Sequence, residues 1–188
     1  MHPKLPFLGQ VFVNLIFQCS LALSLARNPL VEESARRNVL MYFIGSIGVI
    51  LALAFAKAST PVRFIMLTLF STLTGALMSL NKPSTEALEE VVRVFVALLV
   101  VGAVSAALGL DLRTMYIVLF VALLALLFSR VLTGMKMAKF GAFFFGLFVV
   151  VDTNAILQKN YDGDVVQATL DYFLDFVNLL SMMDGEDN

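Results

Sequence analysis

Seven long apolar stretches, separated by short polar segments, dominate the pattern of this chain. A hydrocarbon core of about 30 Å needs roughly 20 apolar residues in a helix, and seven windows approach that length. The connections are short, so successive helices should be antiparallel neighbours. The pattern predicts an all-α polytopic membrane protein, a seven-transmembrane-helix bundle forming a single transmembrane domain over residues 1–188, with spans at roughly 7–26, 39–57, 62–80, 91–110, 115–133, 140–158 and 165–183.

Turn and capping residues mark several helix ends. Asn28 and Pro29 predict the start of a short polar helix, in which two glutamates face arginines four residues later. Thr60 stands just before a proline and is the expected N-cap of the third span, and Asp111 can cap the fifth span. The polar turn at 161–164 should fold the last two spans against each other.

Composition supports a lipid environment. Hydrophobic residues make up 60% of the chain and charged residues 14%, and the mean hydropathy is +0.90, whereas soluble domains hold about 25% charged residues. The net charge of −1 gives no reason to expect nucleic acid as a partner. With one cysteine (Cys19) and one histidine (His2), neither a disulfide framework nor a cysteine-rich metal site is expected.

Basic residues in the connections indicate an orientation. They number five on the side of the N-terminus and eight on the opposite side. The side richer in lysine and arginine normally faces the inside of the cell, so the C-terminus is expected inside.

Three amides interrupt the first span at Gln10, Asn14 and Gln18, four residues apart and therefore on one helical face. They can donate interhelical hydrogen bonds, each contributing about 0.6 kcal/mol, or they can line a polar cavity. Both interpretations stay open from the sequence.

Acidic residues in the last two spans are the strongest functional signal. Asp152, followed by Thr153, lies near the end of the sixth span, and the seventh carries Asp171, Asp175 and Asn178 on one face. A charge at the bilayer centre costs about 2.5–3.5 kcal/mol or more, so such residues are usually paired, hydrated or functional. We therefore predict a site around these acids.

Helix geometry predicts how the acids are placed. Asp152 and Asp171 are each about ten residues from the middle of the intervening turn, so a rise of 1.5 Å per residue puts them level. Asp175 should lie one turn deeper, by about 6 Å.

Two close carboxylates in a low dielectric cannot both be ionised cheaply, so one should keep a proton and the pair should titrate as a unit near neutral pH. Asp152 and Asp175 are thus candidate ligands for a proton or for calcium, which binds oxygen. The alternative is a hydrogen-bonded cluster that only fixes helix packing.

Residues 141–183 also carry a recognisable pattern: a glycine- and phenylalanine-rich span ending in Asp152-Thr153, a short loop, then Ala168 and the segment Leu-Asp-Phe-Val-Asn-Leu-Leu at 174–180. This pattern resembles the transmembrane Bax inhibitor motif family. Weaker similarity covers 7–18, 61–75 and 111–112, so the resemblance extends over nearly the whole chain.

The resemblance implies a seven-helix fold with the last helix central. It also implies a pH-sensitive calcium leak channel, or a calcium/proton exchanger, that modulates cell death in eukaryotic members. The expected location is an intracellular membrane (endoplasmic reticulum, Golgi or mitochondrial inner membrane) or a bacterial plasma membrane. Asp152 and Asp175 match the paired aspartates that act as the family's proton sensor, and no cofactor is implied beyond calcium as the transported ion.

The chain departs from the family pattern in three places. Asp171 stands where members usually have a small polar residue, so the pair can become a triad. The family's latch arginine has no direct equivalent, and Lys57 and Arg63 are the nearest candidates. The tail at 184–188 is acidic, so gating through a basic tail does not carry over.

Two other function classes are alternatives to ion transport. Intramembrane aspartyl proteases of the presenilin type also carry aspartates on consecutive helices, but this chain lacks their Gly-x-Gly-Asp and Pro-Ala-Leu motifs, so we predict no enzymatic activity. The other alternative is a structural membrane subunit that keeps the fold without ion flux and binds membrane-protein partners.

Overall fold

The computed structural model describes residues 5–133, 138–158 and 163–184, and helices account for most of them. The all-α prediction is confirmed, and each predicted window coincides with most of one helix. The described helices are α1 (Leu5–Ala26), α2 (Pro29–Arg37), α3 (Val39–Phe55), α4 (Thr60–Met78), α5 (Thr85–Ala107), α6 (Arg113–Thr133), α7 (Ala138–Leu157) and α8 (Val165–Asp184).

The short polar helix α2 forms as predicted. The side chain of its N-cap, Asn28, accepts a hydrogen bond from the backbone N–H of Leu30 at 2.9 Å, and proline occupies the first turn. Both expected ion pairs are present, at 2.9 and 2.5 Å, between Glu32 and Arg36 and between Glu33 and Arg37.

Of the two predicted caps, one is confirmed and one is displaced. The Asp111 carboxylate accepts the N–H of Arg113, the first residue of α6, at 3.0 Å. Thr60 is not the cap of α4: Ser59 takes that position and Thr60 begins the helix. The first N–H groups of a helix have no internal acceptor, so proline fits either of the first two positions and does not fix which residue precedes the helix.

In the described part of the chain, four helical segments are long and apolar enough to cross a bilayer, namely Pro6–Ala26, Thr60–Met78, Thr85–Ala107 and Lys139–Leu157. A fifth span results if α2 and α3, bent by 93° at their junction, count as one. Among the described residues, α6 contributes a shorter apolar stretch at Arg113–Leu126. The chain is thus an integral membrane protein, and the count of seven spans stays a prediction.

The helices form two compact units, and the single domain expected from the sequence stays a prediction. We call them the α1–α4 unit (Gly9–Lys82 with Val165–Leu170) and the α5–α8 unit (Met1–Leu8, Pro83–Asp164 and Asp171–Asn188, where described). Helix α8 therefore gives its first six residues to one unit and the rest to the other.

In the α5–α8 unit, α7 packs on both α5 and α6. Gly102 of α5 sits so close to α7 that a Cβ added there would lie 2.7 Å from the Val150 carbonyl oxygen and 2.5 Å from Thr153 Cβ. Phe95 of α5 meets the rings of Tyr172 and Phe176 edge-on at centroid distances of 5.9 and 5.7 Å. Helix α7 is therefore held at backbone contact against α5.

Helix α5 ends in a motif that only glycine allows easily. Gly109 has a φ of 72°, in the left-handed region, and the N–H of Leu110 returns to the Ser105 carbonyl at 3.1 Å. This arrangement sets the direction of the loop between α5 and α6.

The α1–α4 unit has its own close contacts. A Cβ on Gly75 of α4 would lie 2.6 Å from the carbonyl oxygen of Ala22 on α1. Helix α3 packs on α4, and Lys82 reaches Glu32 of α2 at 2.6 Å. Small residues thus bring α1 and α4 together, as is common between membrane helices.

Burial is greatest on α7 and α8. Residues 149–156 of α7 are all buried, and no residue between 165 and 180 on α8 is exposed. Helix α3, by contrast, has only two buried residues, Ser46 and Leu53.

Candidate functional site

Three consecutive polar residues on α7 are buried. Asp152 is 4% exposed, Thr153 3% and Asn154 1%. Successive residues of an α-helix project about 100° apart, so the three side chains point toward different neighbours. The hydrogen bonds that they form show that each has a different set of partners.

Asp152 meets two partners from other helices. The phenol O–H of Tyr116 on α6 donates to its Oδ1 atom, and its carboxyl group is hydrogen-bonded to Asp175 on α8. Asp175 is 6% exposed, and its Oδ2 atom has no hydrogen-bond partner in the described structure.

Thr153 links α7 to α8. The Tyr172 O–H donates to Thr153 Oγ1 at 2.8 Å, and the Thr153 hydroxyl donates to the Val149 carbonyl at 2.7 Å. Since Tyr172 is also held by the edge of Phe95, the hydroxyl pair has little freedom to move.

Asn154 links α7 to the end of α5. Its Nδ2 atom donates to Ser105 Oγ and to the Leu110 carbonyl, both at 2.9 Å. Gln158, one turn later, donates to the same Leu110 oxygen at 2.5 Å. Helix α7 is thus tied to the α5–α6 loop immediately after the buried acid.

The predicted levels of the acids stay a prediction. Counting residues placed Asp171 level with Asp152 and Asp175 about 6 Å deeper, and Asp175 is the acid that interacts most strongly with Asp152. Side chains on a helix tilt toward its N-terminus. This tilt carries the carboxyl of Asp152 toward the start of α7 and that of Asp175 toward the start of α8, which allows a pair offset by one turn to interact.

Asp171 is half-buried on α8 and close enough to interact electrostatically with Asp175. Among the residues that the structure describes, however, no three His, Cys, Asp or Glu side chains are arranged to hold a metal ion. Calcium takes six to eight oxygen ligands, waters among them, so carboxylates need to supply only part of the set. Calcium binding by Asp152 and Asp175, and calcium as a transported ion, stay predictions.

The other predicted polar residues occupy varied environments. Asn178 is half-buried on α8. On α1, Gln10 is exposed, Asn14 is half-buried, and Gln18 is buried and donates to Thr68 Oγ1 of α4 at 3.3 Å. For Gln18 the interhelical hydrogen bond is confirmed, and this amide trio lies in the α1–α4 unit, not in the unit that holds the aspartate pair.

The two candidate latch residues also lie in the α1–α4 unit. Lys57 is exposed between α3 and α4. Arg63, in the first turn of α4, donates to Gln167 Oε1 of α8 at 3.4 Å. A latch that engages the aspartates stays a prediction.

Sequence reasoning missed four residues of this site: Tyr116, Tyr172, Ser105 and Asn154. The signal that could have found them is a polar group inside an apolar run. Asn154, directly after Asp152 and Thr153, was the clearest case.

Comparison with known proteins gives one match. The model of the family described as "Inhibitor of apoptosis-promoting Bax1" matches residues 6–183, nearly the whole chain. A search of curated proteins finds no significant match.

Proposed function

The chain belongs to the family of inhibitors of apoptosis-promoting Bax1, which confirms the resemblance seen in the sequence, and from this premise we propose that it conducts calcium across a membrane under the control of protons. It is a membrane protein of the Bax inhibitor type. In our proposal the proton sensor is the pair of Asp152 and Asp175, with Asp171 as its nearest acidic neighbour.

The hydrogen bond between the two buried carboxyl groups carries the proposal. With the proton present, the pair has at most one negative charge and holds α7 against α8. When the proton leaves, two like charges face each other in a medium of low dielectric, where they repel strongly. The repulsion favours either separation of the helices or entry of a cation, and both increase calcium flux.

The surrounding groups suit a switch of this kind. The Tyr116 phenol supports the ionised state of Asp152, because it donates to a carboxylate more strongly than to a neutral acid. The Thr153–Tyr172 pair and the Asn154 contacts fix the neighbouring part of α7.

Seven spans around a central α8 form the topology that we propose for this function. The absence of exposed residues between positions 165 and 180 supports it, since a helix carrying three acids needs protection from lipid. Such a protein would work in an intracellular membrane (endoplasmic reticulum, Golgi or mitochondrial inner membrane) or in a bacterial plasma membrane, and in a eukaryotic cell it would modulate cell death.

Calcium flux into liposomes between pH 6 and pH 8 tests the proposal. We expect the flux of the wild type to change across this range and that of Asp152→Asn with Asp175→Asn to be nearly independent of pH. Asp111→Asn is the matched control, because it removes a carboxylate that is exposed on the α5–α6 loop. If the double variant kept both the flux and the pH profile of the wild type, the proton-sensor mechanism would be rejected.

The same preparation separates the alternatives. A structural subunit would purify with stable membrane-protein partners and show no flux at any pH. We propose that the chain is not an enzyme, and cleavage of a single-span substrate that stops in the double variant would contradict this.

A further inference from the structure

A groove of about 380 Å³ lies in the α5–α8 unit, away from the aspartate pair. Leu98 of α5, Phe143 and Leu147 of α7, and Leu179 of α8 are among the residues that line it. The single charged residue in this lining is Lys139. The groove is therefore apolar, with one positively charged side chain in its lining. Its volume is within the range of small-molecule sites.

Small residues of α7 form the floor of the groove. Ala142 and Gly146 are four residues apart and so share one helical face, and both line the groove. A Cβ on Gly146 would come within 3.1 Å of Leu98 Cδ1, so the glycine also lets α5 and α7 approach. Larger side chains stand beside this strip, including Phe143, which is 60% exposed.

The groove follows the axis of α7 from the first turn of that helix. Lys139 is the second residue of α7, and Leu147 lies eight residues further, so the lined part is about 12 Å long. This length and apolar character fit a segment of an acyl chain running parallel to α7.

Lys139 is available to bind an anionic group, because charged residues near this end of the unit have other partners. Arg93 of α5 is paired with Glu89 at 3.0 Å, and the Asp184 carboxylate accepts the N–H of Ser84 at 2.9 Å. Lys139 is exposed and has no ion-pair partner among the described residues. It also belongs to the side richer in basic residues, which the sequence predicts to face inward, where anionic lipids concentrate.

We propose that this groove binds an anionic phospholipid of the surrounding bilayer, with an acyl chain along Ala142 and Gly146 and the headgroup phosphate beside Lys139. A lysine at a membrane surface attracts anionic headgroups, and the groove adds a preferred place for the chain. The site therefore prefers an anionic lipid over phosphatidylcholine by about fivefold, the effect of one basic residue near an anionic surface. It does not depend on the ion flux proposed above.

The absence of tryptophan from the chain permits a clean test. Phe143→Trp places a single fluorophore on the groove wall. The variant is reconstituted into bilayers in which either phosphatidylglycerol or phosphatidylcholine carries brominated acyl chains, which quench tryptophan on contact. We expect brominated phosphatidylglycerol to quench at about fivefold lower mole fraction.

Two further variants locate the site. Lys139→Gln in the Phe143→Trp background should abolish the preference while leaving an exposed position on a folded protein. Ala142→Leu fills the strip and should weaken quenching by both lipids. Phe128→Trp on α6 is the matched control, because it is 63% exposed and is about as far from the α6–α7 connection as Phe143.

A preference for phosphatidylglycerol at position 143 that disappears with Lys139→Gln and is absent at position 128 supports the site. Equal quenching by both lipids at position 143, the same preference at both positions, or a preference that survives Lys139→Gln would each overturn it.

Discussion

The carboxylates of this protein are neutralised in two different ways. In the connection between α5 and α6, Asp111 is 53% exposed and accepts hydrogen bonds from the guanidinium of Arg113, which lowers the pKa of that carboxyl group. Between α7 and α8, Asp152 and Asp175 are buried and hydrogen-bonded to each other. A fixed positive charge compensates the first acid, and in our proposal a shared proton compensates the second pair.

The difference decides which acids respond to pH. Because Arg113 favours the ionised form, Asp111 takes up a proton only in solutions more acidic than its usual pKa of about 3.9. A proton shared in a buried pair can leave and return as the surrounding pH changes. In the proposed function, pH sensing is therefore assigned to the buried pair and not to Asp111.

Separating α5 from α7 should have the largest effect on the buried region. Gly102→Val adds atoms where even a Cβ would overlap the Val150 carbonyl, so we expect a loss of about 1–3 kcal/mol in the free energy of unfolding. Thermal unfolding in detergent micelles measures it. Calcium flux at pH 8 should fall in parallel, since Asp152 lies between Val150 and Thr153, the two residues that contact Gly102.

Gly48→Val is the matched control on α3, because nothing lies within 4 Å of a Cβ at that position. If both variants unfolded at the same temperature, the close packing of α5 on α7 would not be important for stability.

Removing the phenol of Tyr116 should have the next largest effect. Tyr116→Phe deletes the donor to Asp152 and leaves the ring in place. The ionised pair then loses a stabilising hydrogen bond of about 1.5 kcal/mol, so the midpoint of the calcium-flux profile should move up by about one pH unit. Liposome flux between pH 6 and pH 9 measures the midpoint.

Tyr42→Phe provides the comparison, since that phenol is hydrogen-bonded to Ser34 at 3.0 Å in the other unit. An unchanged midpoint in Tyr116→Phe, or an equal shift in Tyr42→Phe, would contradict a specific contribution of Tyr116 to the pair.

The smallest effect is expected at Glu32, a half-buried acid in the polar connecting helix α2. Lys82 and then Arg36 donate to Glu32 and lower its pKa, so the ionised form stabilises the folded state above the usual pKa of about 4.3, and this contribution disappears as the pH falls through the lowered value. Lys82→Gln removes the larger cause. We expect Lys82→Gln to lower the melting temperature slightly at pH 6 and to change it very little at pH 3. A deficit that is the same at both pH values would exclude the ion pair as its cause.

Much of the fold was predictable because it depends on local rules. Apolar length located the helices, and Asn28 with Pro29 located α2, since capping involves residues only two or three apart. The cap of α4 was displaced by one residue, to Ser59, because proline is tolerated at more than one position in the first turn.

The site was predictable only where neighbours in sequence are neighbours in space. Asp152 and Asp175 lie on consecutive helices that are close in sequence, so their proximity was predictable. Tyr116 and Ser105 reach α7 from helices 36 and 49 residues away, and no local rule specifies which side chains meet across that separation.

The Leu110 carbonyl oxygen accepts as many hydrogen bonds as it has lone pairs. A carbonyl oxygen has two lone pairs, and the amides of Asn154 and Gln158 occupy both. If the end of α7 shifts along its axis, either the α5–α6 loop must move with it or one of the two amides loses its hydrogen-bond acceptor. A displacement of α7 near Asp152 is in this way mechanically coupled to the loop between α5 and α6.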